Sequence, residues 1–420
     1  MFFIQSEGGI PSVEKSEHGA FLFSRPGLIF LLGVTLAGAW YEQLVMTLLT
    51  AAVLVIGLSA HGWSALSLRR LVYLRRTDTS RIFPGEEVEL TVILENRKLL
   101  PLSWVEAADE IPSALLPEGL AAAPEAGSGR SLLVNVAPLL WYQRYVWRYR
   151  LAGRRRGYYR LGPVRLTSGD LFGLFPRQAT MGEVDHILVY PKVYDLSDPA
   201  LPSRFPLGEV QAASRLFEDP TRSIGLRQYT REASFKSIHW KASARHQELQ
   251  VKVCEPTTTV EVVIFLDIGG FTDDDQFELG VSLAASLAKH FIEGDQPAGC
   301  FANAALVDNR GHGVRLPTGS GLNHLMTILE ALAKVTREPA QDFAEFFEEN
   351  LSAVTWGATL VLITACLSEQ DMARLESLGR GGFQIAVYLM ADGEAPQGQL
   401  PGGLVVDSGA VRRMMGGQAV

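Results

Sequence analysis

The sequence predicts a multi-domain chain: a transmembrane helical hairpin, then an antiparallel β-sandwich, then a doubly wound α/β domain. Three observations carry that prediction. An apolar run at 44–60 has no charge, period-2 alternation sets in near residue 79, and strands alternate with helices from about residue 248. The totals agree, because 420 residues suffice for two or three separate cores. Apolar content of 47% beside 20% charged residues excludes a disordered chain. A net charge of -8 argues against bulk nucleic-acid binding, which needs an excess of Lys and Arg facing phosphate. Cys254, Cys300 and Cys366 lie far apart with no CxxC pair, which favours a reducing compartment over a disulfide framework.

The hairpin is expected over 26–62, behind an N-terminal cytoplasmic segment at 1–25. "PGLIFLLGVTLAGAW" from Pro26 forms its first arm, which can extend back through Phe21–Phe23, and "LVMTLLTAAVLVIGLSAHGW" from Leu44 forms its second. An uncharged run of this length suits a helix crossing about 30 Å of hydrocarbon. No small-residue cleavage site follows the first arm, which speaks against a signal peptide. Arg69, Arg70, Arg75 and Arg76 follow the second arm, whereas the tip at Tyr41–Gln43 carries no positive charge. The positive-inside rule therefore predicts a cell-membrane protein with two helices, both termini and the bulk of the chain being cytoplasmic.

The sandwich is expected over 77–195. In "EEVELTVILEN" Val88, Leu90, Val92 and Leu94 share one face while Glu87, Glu89, Thr91 and Ile93 lie between them, and Pro84-Gly85 supplies a turn before the strand. Similar runs follow at 131–140, 143–173 and 185–196. Arg144, Arg148, Arg150, Arg154, Arg155, Arg156, Arg160 and Arg165 fall close together with no acid among them. Such a face can be solvated and balanced by acids elsewhere on the protein. It can also rest on anionic lipid near the tether or on a protein partner.

From 248 to 395 the pattern is α/β, with 396–420 expected to be a flexible tail. "TVEVVIFLDIGG" is a nearly unbroken apolar run, as in the centre of a parallel sheet covered on both faces. "QFELGVSLAASLAKHFI" puts Phe277, Val281, Ala284, Ala288 and Phe291 on one helical stripe, and further strands and helices alternate after it. In such sheets ligands bind beyond the carboxyl ends of strands, and Asp267 stands at such an end. No phosphate-binding loop, GxSxG elbow or HExxH spacing appears, so no catalytic set can be named and the chain is not expected to be an enzyme, the alternative being an enzyme with an unrecognised site.

Residues 196–247 form a joint segment rich in charge. Its core, "LRQYTREASFKSIHWKASAR", holds the candidate binding residues Arg227, Tyr229, Lys236, His239, Trp240, Lys241 and Arg245. Read physically, Ser234 caps a short helix from Phe235 to Arg245, with Ile238, Trp240 and Ala242 inward and Lys236 and Lys241 outward. Arg227 and Arg245 then brace the helix against acids of the α/β domain, making a rigid joint. The alternative is a docking surface centred on Trp240 and the arginines, residue types enriched at interface hot spots.

This stretch resembles the signature of the domain of unknown function 58 (DUF58) family at Leu226, Arg227, Tyr229, Ile238, Trp240, Ser243, Ala244 and Arg245, with Lys236 in place of Arg. "RRRGYYRLGPVRLTSGDLFGLFPR" at 154–177 is similar to the family's second hallmark. The α/β domain resembles the von Willebrand factor A (Rossmann-like) fold, whose metal site opens with Asp-x-Ser-x-Ser after its first strand. Here those positions read Asp267-Ile268-Gly269-Gly270-Phe271, so both serines are lost. Mg²⁺ needs hard oxygen ligands, which Gly269 and Phe271 do not supply. Thr272 and Asp273–Asp275 follow, and the expected use is a solvated turn capping the next helix. The family's Pro-Gly-Asp-Asp is replaced by Arg231, Glu232, Ala233 and Ser234.

The resemblance implies a membrane-anchored scaffold or adaptor. Its implied partners are a MoxR-type AAA+ ATPase and other membrane proteins of the same module, such as transglutaminase-like ones. It works without a cofactor, and a degenerate metal site at Asp267 makes Mg²⁺ the alternative.

Overall fold

The computed structural model describes residues 13–15, 25–116, 123–124, 129–181, 184–196, 218–229, 238–256, 261–309, 311, 313–390 and 403–416. The chain divides into two compact units, Met1–Tyr190 and Pro191–Val420.

The first unit holds β1 (Val13–Lys15), α1 (Arg25–Trp40), α2 (Leu44–Ser67), β2 (Leu71–Thr77), β3 (Arg81–Ile82), β4 (Glu87–Asn96) and β5 (Leu102–Pro112). Then follow β6 (Ala123–Pro124), β7 (Arg130–Leu139), β8 (Arg144–Ala152), β9 (Gly157–Leu161), β10 (Val164–Ser168), β11 (Arg177–Met181) and β12 (Asp185–Val189). α1 and α2 are joined by a tight turn in which Glu42 takes a left-handed conformation. They approach closely at Gly38, where a Cβ would lie 2.9 Å from Thr47 Oγ1. α2 is long and apolar enough to cross a membrane, while α1, at 16 residues, is shorter. The extension of the first arm to Phe21–Phe23 lies outside the described residues.

Three sheets share one core: β1-β11-β10-β5-β7-β6, β2-β4-β8 and β3-β12-β9. The alternation read from the sequence is real, since Val88, Leu90, Val92 and Leu94 of β4 are all fully buried. Pairing is antiparallel except between β12 and β3, which run parallel. β2 starts at Leu71, so the sheet region begins before the expected residue 77.

One charge expectation changes, and part of another is met. Arg75 is no membrane-flanking surface charge but a buried one. Its Nη1 donates to Asp109 Oδ1 at 2.9 Å and its Nε to Asp185 Oδ2 at 3.0 Å, while Tyr73 donates to Asp109 Oδ2 at 2.6 Å. These residues of β2, β5 and β12 bind the three sheets at one point. Burial pushes the Asp109 carboxyl up, and the Arg75 guanidinium opposes it. On β8 the arginines Arg144, Arg148 and Arg150 face Glu95, Glu89 and Glu87 of the neighbouring β4 at 3.6, 3.5 and 3.9 Å. That part of the basic run is a solvated face balanced by acids, worth little individually.

The second unit holds β13 (Glu218–Gln228), α3 (Trp240–His246), β14 (Gln250–Pro256), β15 (Val262–Leu266), α4 (Asp274–Glu293), β16 (Ala298–Ala302), β17 (Ala304–Leu306) and β18 (Val314–Gly319). It continues with α5 (Leu322–Lys334), β19 (Val335–Pro339), α6 (Phe343–Leu351), β20 (Thr359–Thr364), α7 (Glu369–Arg380), β21 (Gln384–Leu389), β22 (Gly403–Val406) and α8 (Ser408–Met414). The main sheet runs β18-β16-β15-β20-β21-β22, parallel except for β18, which carries Pro317 at the sheet edge where a missing donor costs nothing. β15 is buried along its whole length, as its unbroken apolar run requires, and so is the predicted stripe of α4. Phe265, fully buried, sits 5.2 Å from the Phe301 ring and 4.7 Å from that of Phe347.

Two expected boundaries shift here as well. Residues 191–196 belong with α4, because Tyr194 N–H donates to Ser286 Oγ at 2.9 Å and Lys289 pairs with Asp195 at 2.7 Å. The tail expected to be flexible over 396–420 instead adds β22 to the sheet and seats Val411 and Met415 of the last helical segment in buried positions. Residues 396–402 and 417–420 lie outside the described residues.

Candidate functional site

The signature stretch is built on a two-stranded ribbon. Gln228 of β13 pairs with Gln250 of β14 and Arg227 with Val251, and Tyr229 N–H continues the ladder to Leu249 O at 2.8 Å. Ile238 forms a bridge to Val251, and His239 N–H donates to Gln250 O at 2.8 Å. Ile238 thus sits in a β-bridge, and Phe235 lies outside the described residues, so only the later part of the expected helix is described. The described helix begins at Trp240, and His239 is its cap, the Nδ1 accepting from Ala242 N–H at 3.1 Å. Ser234 and Lys236 lie outside the described residues.

α3 rests on β14 through Ala242 and Ser243, both buried. Ser243 Oγ accepts from Gln250 N–H at 2.8 Å and donates to His239 O at 3.1 Å. The side expected inward for Trp240 is wrong: it is 66% exposed, because Ile238, Ala242 and Ser243 already fill the contact with the ribbon. Lys241 and Arg245, one helical turn apart, are exposed as well. Of the predicted binding residues, three therefore share a short helix's outer surface, His239 is used as a cap, and Arg227 and Tyr229 hold the ribbon through their backbone. No ion pair from Arg245 to an acid occurs among the described residues.

The second candidate position is the carboxyl end of β15. The chain leaves β15 towards β16 on one side and later returns to β20 on the other, so strand order reverses between β15 and β20. A ligand crevice is expected at such a switch point. Asp267 stands there, and its carboxylate is engaged on both oxygens. Oδ1 accepts from Gly269 N–H at 3.0 Å and from Asn303 Nδ2 at 3.2 Å, and Oδ2 accepts from Thr364 Oγ1 at 2.9 Å. Burial raises the Asp267 pKa above the ordinary carboxylate value, and the negative charge of Asp371 adds to that. The three hydrogen bonds pull the other way.

Each neighbouring residue has a packing reason. Phe271 is a core residue, edge-on to Phe277 at 5.9 Å and seated over Gly280. At Gly270 a Cβ would crowd Cys366 Sγ at 3.0 Å and Ala365 at 3.2 Å. Asp273 occupies the N-cap position of α4 without a side-chain capping bond, and Thr272–Asp275 are exposed. This donor set does not fit an octahedral divalent ion: one carboxylate and one hydroxyl face each other, and the buried Phe271 ring supplies no oxygen. Among the described residues no group of three His, Cys, Asp or Glu is placed to hold a metal.

Asn303 and Thr364 were not anticipated. Asn303 is fully buried, interrupts the strand run "AGCFANAAL", and accepts from Ile268 N–H at 2.8 Å while donating to Asp267. Its signal was that lone amide amid apolar residues. Thr364 merely ends an apolar run, and only strand order brings it to Asp267.

Comparison with known proteins matches part of this architecture. The chain is 25% identical over 381 residues to "Uncharacterized protein YeaD" of Bacillus subtilis (strain 168), a match covering 86% of this chain and 91% of that protein. Among solved structures, the CARDB domain of the PF1109 protein from Pyrococcus furiosus is 10% identical with a TM-score of 0.19, covering 28% of this chain and 91% of its own. A cohesin module from Clostridium perfringens ATCC13124 family 33 glycoside hydrolase is 11% identical with a TM-score of 0.22, covering 29% and 96%. Likenesses that weak carry no argument. Residues 225–402, which include α3, Asp267, Asn303 and Thr364, match the family described as "Protein of unknown function DUF58".

Proposed function

We propose that this chain is a membrane-anchored adaptor: α1 and α2 form a transmembrane hairpin, and a von Willebrand A-like domain on the cytoplasmic side binds a partner protein, a MoxR-type AAA+ ATPase. The observation that carries the reading is the outer face of α3. An exposed tryptophan flanked by an exposed lysine and arginine, on a helix fixed to the ribbon by Ser243 and His239, has the composition of an interface anchor. The anchoring half is supported by α2, whose 24 residues would extend about 36 Å, enough for a bilayer core. The domain assignment is supported by the strand order with its single antiparallel edge strand. The engaged carboxylate of Asp267 favours a binding role over a catalytic one.

The test is a pull-down of the detergent-solubilised full chain with the cognate ATPase. Capture is expected, and Trp240→Ala should weaken it about 30-fold, corresponding to about 2 kcal/mol for a hot-spot residue. No ATPase above background sinks the reading.

A metal-dependent ligand-binding module is the second reading, favoured by the place of Asp267 and Thr364 at the switch point. Calorimetric titration of the full chain with Mg²⁺ or Mn²⁺ separates the two. No heat of binding is expected. A signal that disappears in Asp267→Ala would establish the module instead.

A further inference from the structure

The last two turns of α2 are gripped by three loops of the first unit, and the tips of those loops are apolar. Lys98 Nζ donates to Ser67 O and, at 2.7 Å, to Arg69 O, and Arg97 N–H donates to Arg70 O at 3.0 Å. This fixes the loop 97–101 at the carboxyl end of the helix. Asn96 Nδ2 donates at 2.9 Å to both Leu100 O and Leu140 O, and Tyr142 N–H reaches Lys98 O at 3.4 Å, which fastens the β7–β8 turn to the same place. Ser64 Oγ donates to Phe175 O at 2.6 Å and His61 meets the Phe175 ring edge-on at 5.2 Å, which brings the loop 170–175 alongside.

From these fixed loops Leu99, Leu140, Trp141, Tyr142, Leu171 and Phe172 point into solvent, Leu99 being 73%, Trp141 60% and Phe172 66% exposed. Their placement is built. Tyr142 is held at φ 54°, a conformation for which Gly or Asn is the usual choice in a hairpin turn. Fully buried Asp170 accepts from Phe172 N–H at 3.0 Å and Phe175 N–H at 2.7 Å, shaping the loop that projects Leu171 and Phe172. Arg69, Arg70 and Arg97 are exposed beside the patch. Apolar tips, a Trp-Tyr pair and neighbouring arginines suit the boundary between acyl chains and headgroups. α2 says where that boundary lies. Its large apolar side chains are mostly exposed from Leu44 to Leu58, whereas over the last two turns Ala60, Ser64 and Ser67 are buried on one side and Leu66 stays exposed on the other.

We propose that these three loop tips insert into the interfacial layer of the membrane that α2 crosses, so that the first unit is seated on lipid rather than hung from its helical anchor alone. The proposal rests on the anchoring reading above, and the test separates the two. Single cysteines at Leu99, Trp141 and Phe172, with Val55 and Glu87 as references, are labelled with an environment-sensitive fluorophore in the full chain carrying Cys254→Ser, Cys300→Ala and Cys366→Ser. The proteins are placed in bilayer discs whose lipids bear a nitroxide either near the headgroup or near the acyl terminus. Val55 lies within the exposed apolar part of α2, and Glu87 lies at the far end of β4, about 30 Å from Asn96.

The expected result is quenching at 99, 141 and 172 by the shallow nitroxide, at 55 by a lipid nitroxide of either depth, and none at 87. Quenching at 55 with none at the three loop positions overturns the proposal and leaves the anchor standing. Blue-shifted emission at those positions without lipid quenching also overturns it, since protein then covers the patch. No quenching at 55 overturns the anchor, and this proposal with it.

Discussion

Arg75→Met is expected to destabilise the first unit by about 3–5 kcal/mol at neutral pH, the usual cost of stranding one partner of a buried ion pair. Asp109 is fully buried and would keep only the Tyr73 hydroxyl at 2.6 Å. The pH dependence identifies the cause. Burial raises the Asp109 pKa above its ordinary 3.8, so the folded state holds that proton more tightly than the unfolded chain. Its contribution to stability is therefore present in acid and is lost as pH rises through the folded-state value. Arg75 opposes that rise, and removing it enlarges the penalty on the charged form. The gap between variant and parent should narrow as pH falls towards the unfolded carboxylate value. Denaturant unfolding of the first unit across that range checks it, and a gap independent of pH would show that Arg75 acts through packing alone.

Asn303→Ala should cost the second unit about 2–4 kcal/mol, because the Ile268 N–H is left unpaired and Asp267 loses one donor. The amide donor is one of the groups that pull the Asp267 pKa down, so its loss raises that value further and the cost should shrink in acid. In an Asp267→Asn background the charge is gone, and the two substitutions should couple by about 0.5–3 kcal/mol. Additive effects in that cycle would mean that the amide serves only Ile268. Either outcome bears on the switch point, because a carboxylate held by three protein donors is poorly prepared to receive an ion.

Much of the local architecture was legible because period reports burial. Val88 to Leu94 alternate along β4 and line the core, and the unbroken run at 262–266 forms a strand covered on both faces. Places where a residue's neighbour is far off in sequence were not legible. Arg75 reads as one more positive charge after an apolar helix, yet Asp109 and Asp185 make it a buried strut. Phe235 to Arg245 reads as one helix, yet Ile238 is bridged to Val251 and the described helix starts at Trp240. Trp240 reads as a core residue by type, and the ribbon leaves it outside.

By itself the amino-acid order determined the apolar helix, the order of sheet-rich and alternating regions, and the lone carboxylate closing the strand at 262–266. Those are matters of composition and period, which a short window contains. Only the tertiary structure decided which strands became neighbours, and through them that Thr364 and Asn303 meet Asp267, and that three distant loops surround the end of α2. Such meetings depend on the register and order of strands, which hydrogen bonds between remote segments set and no local pattern encodes.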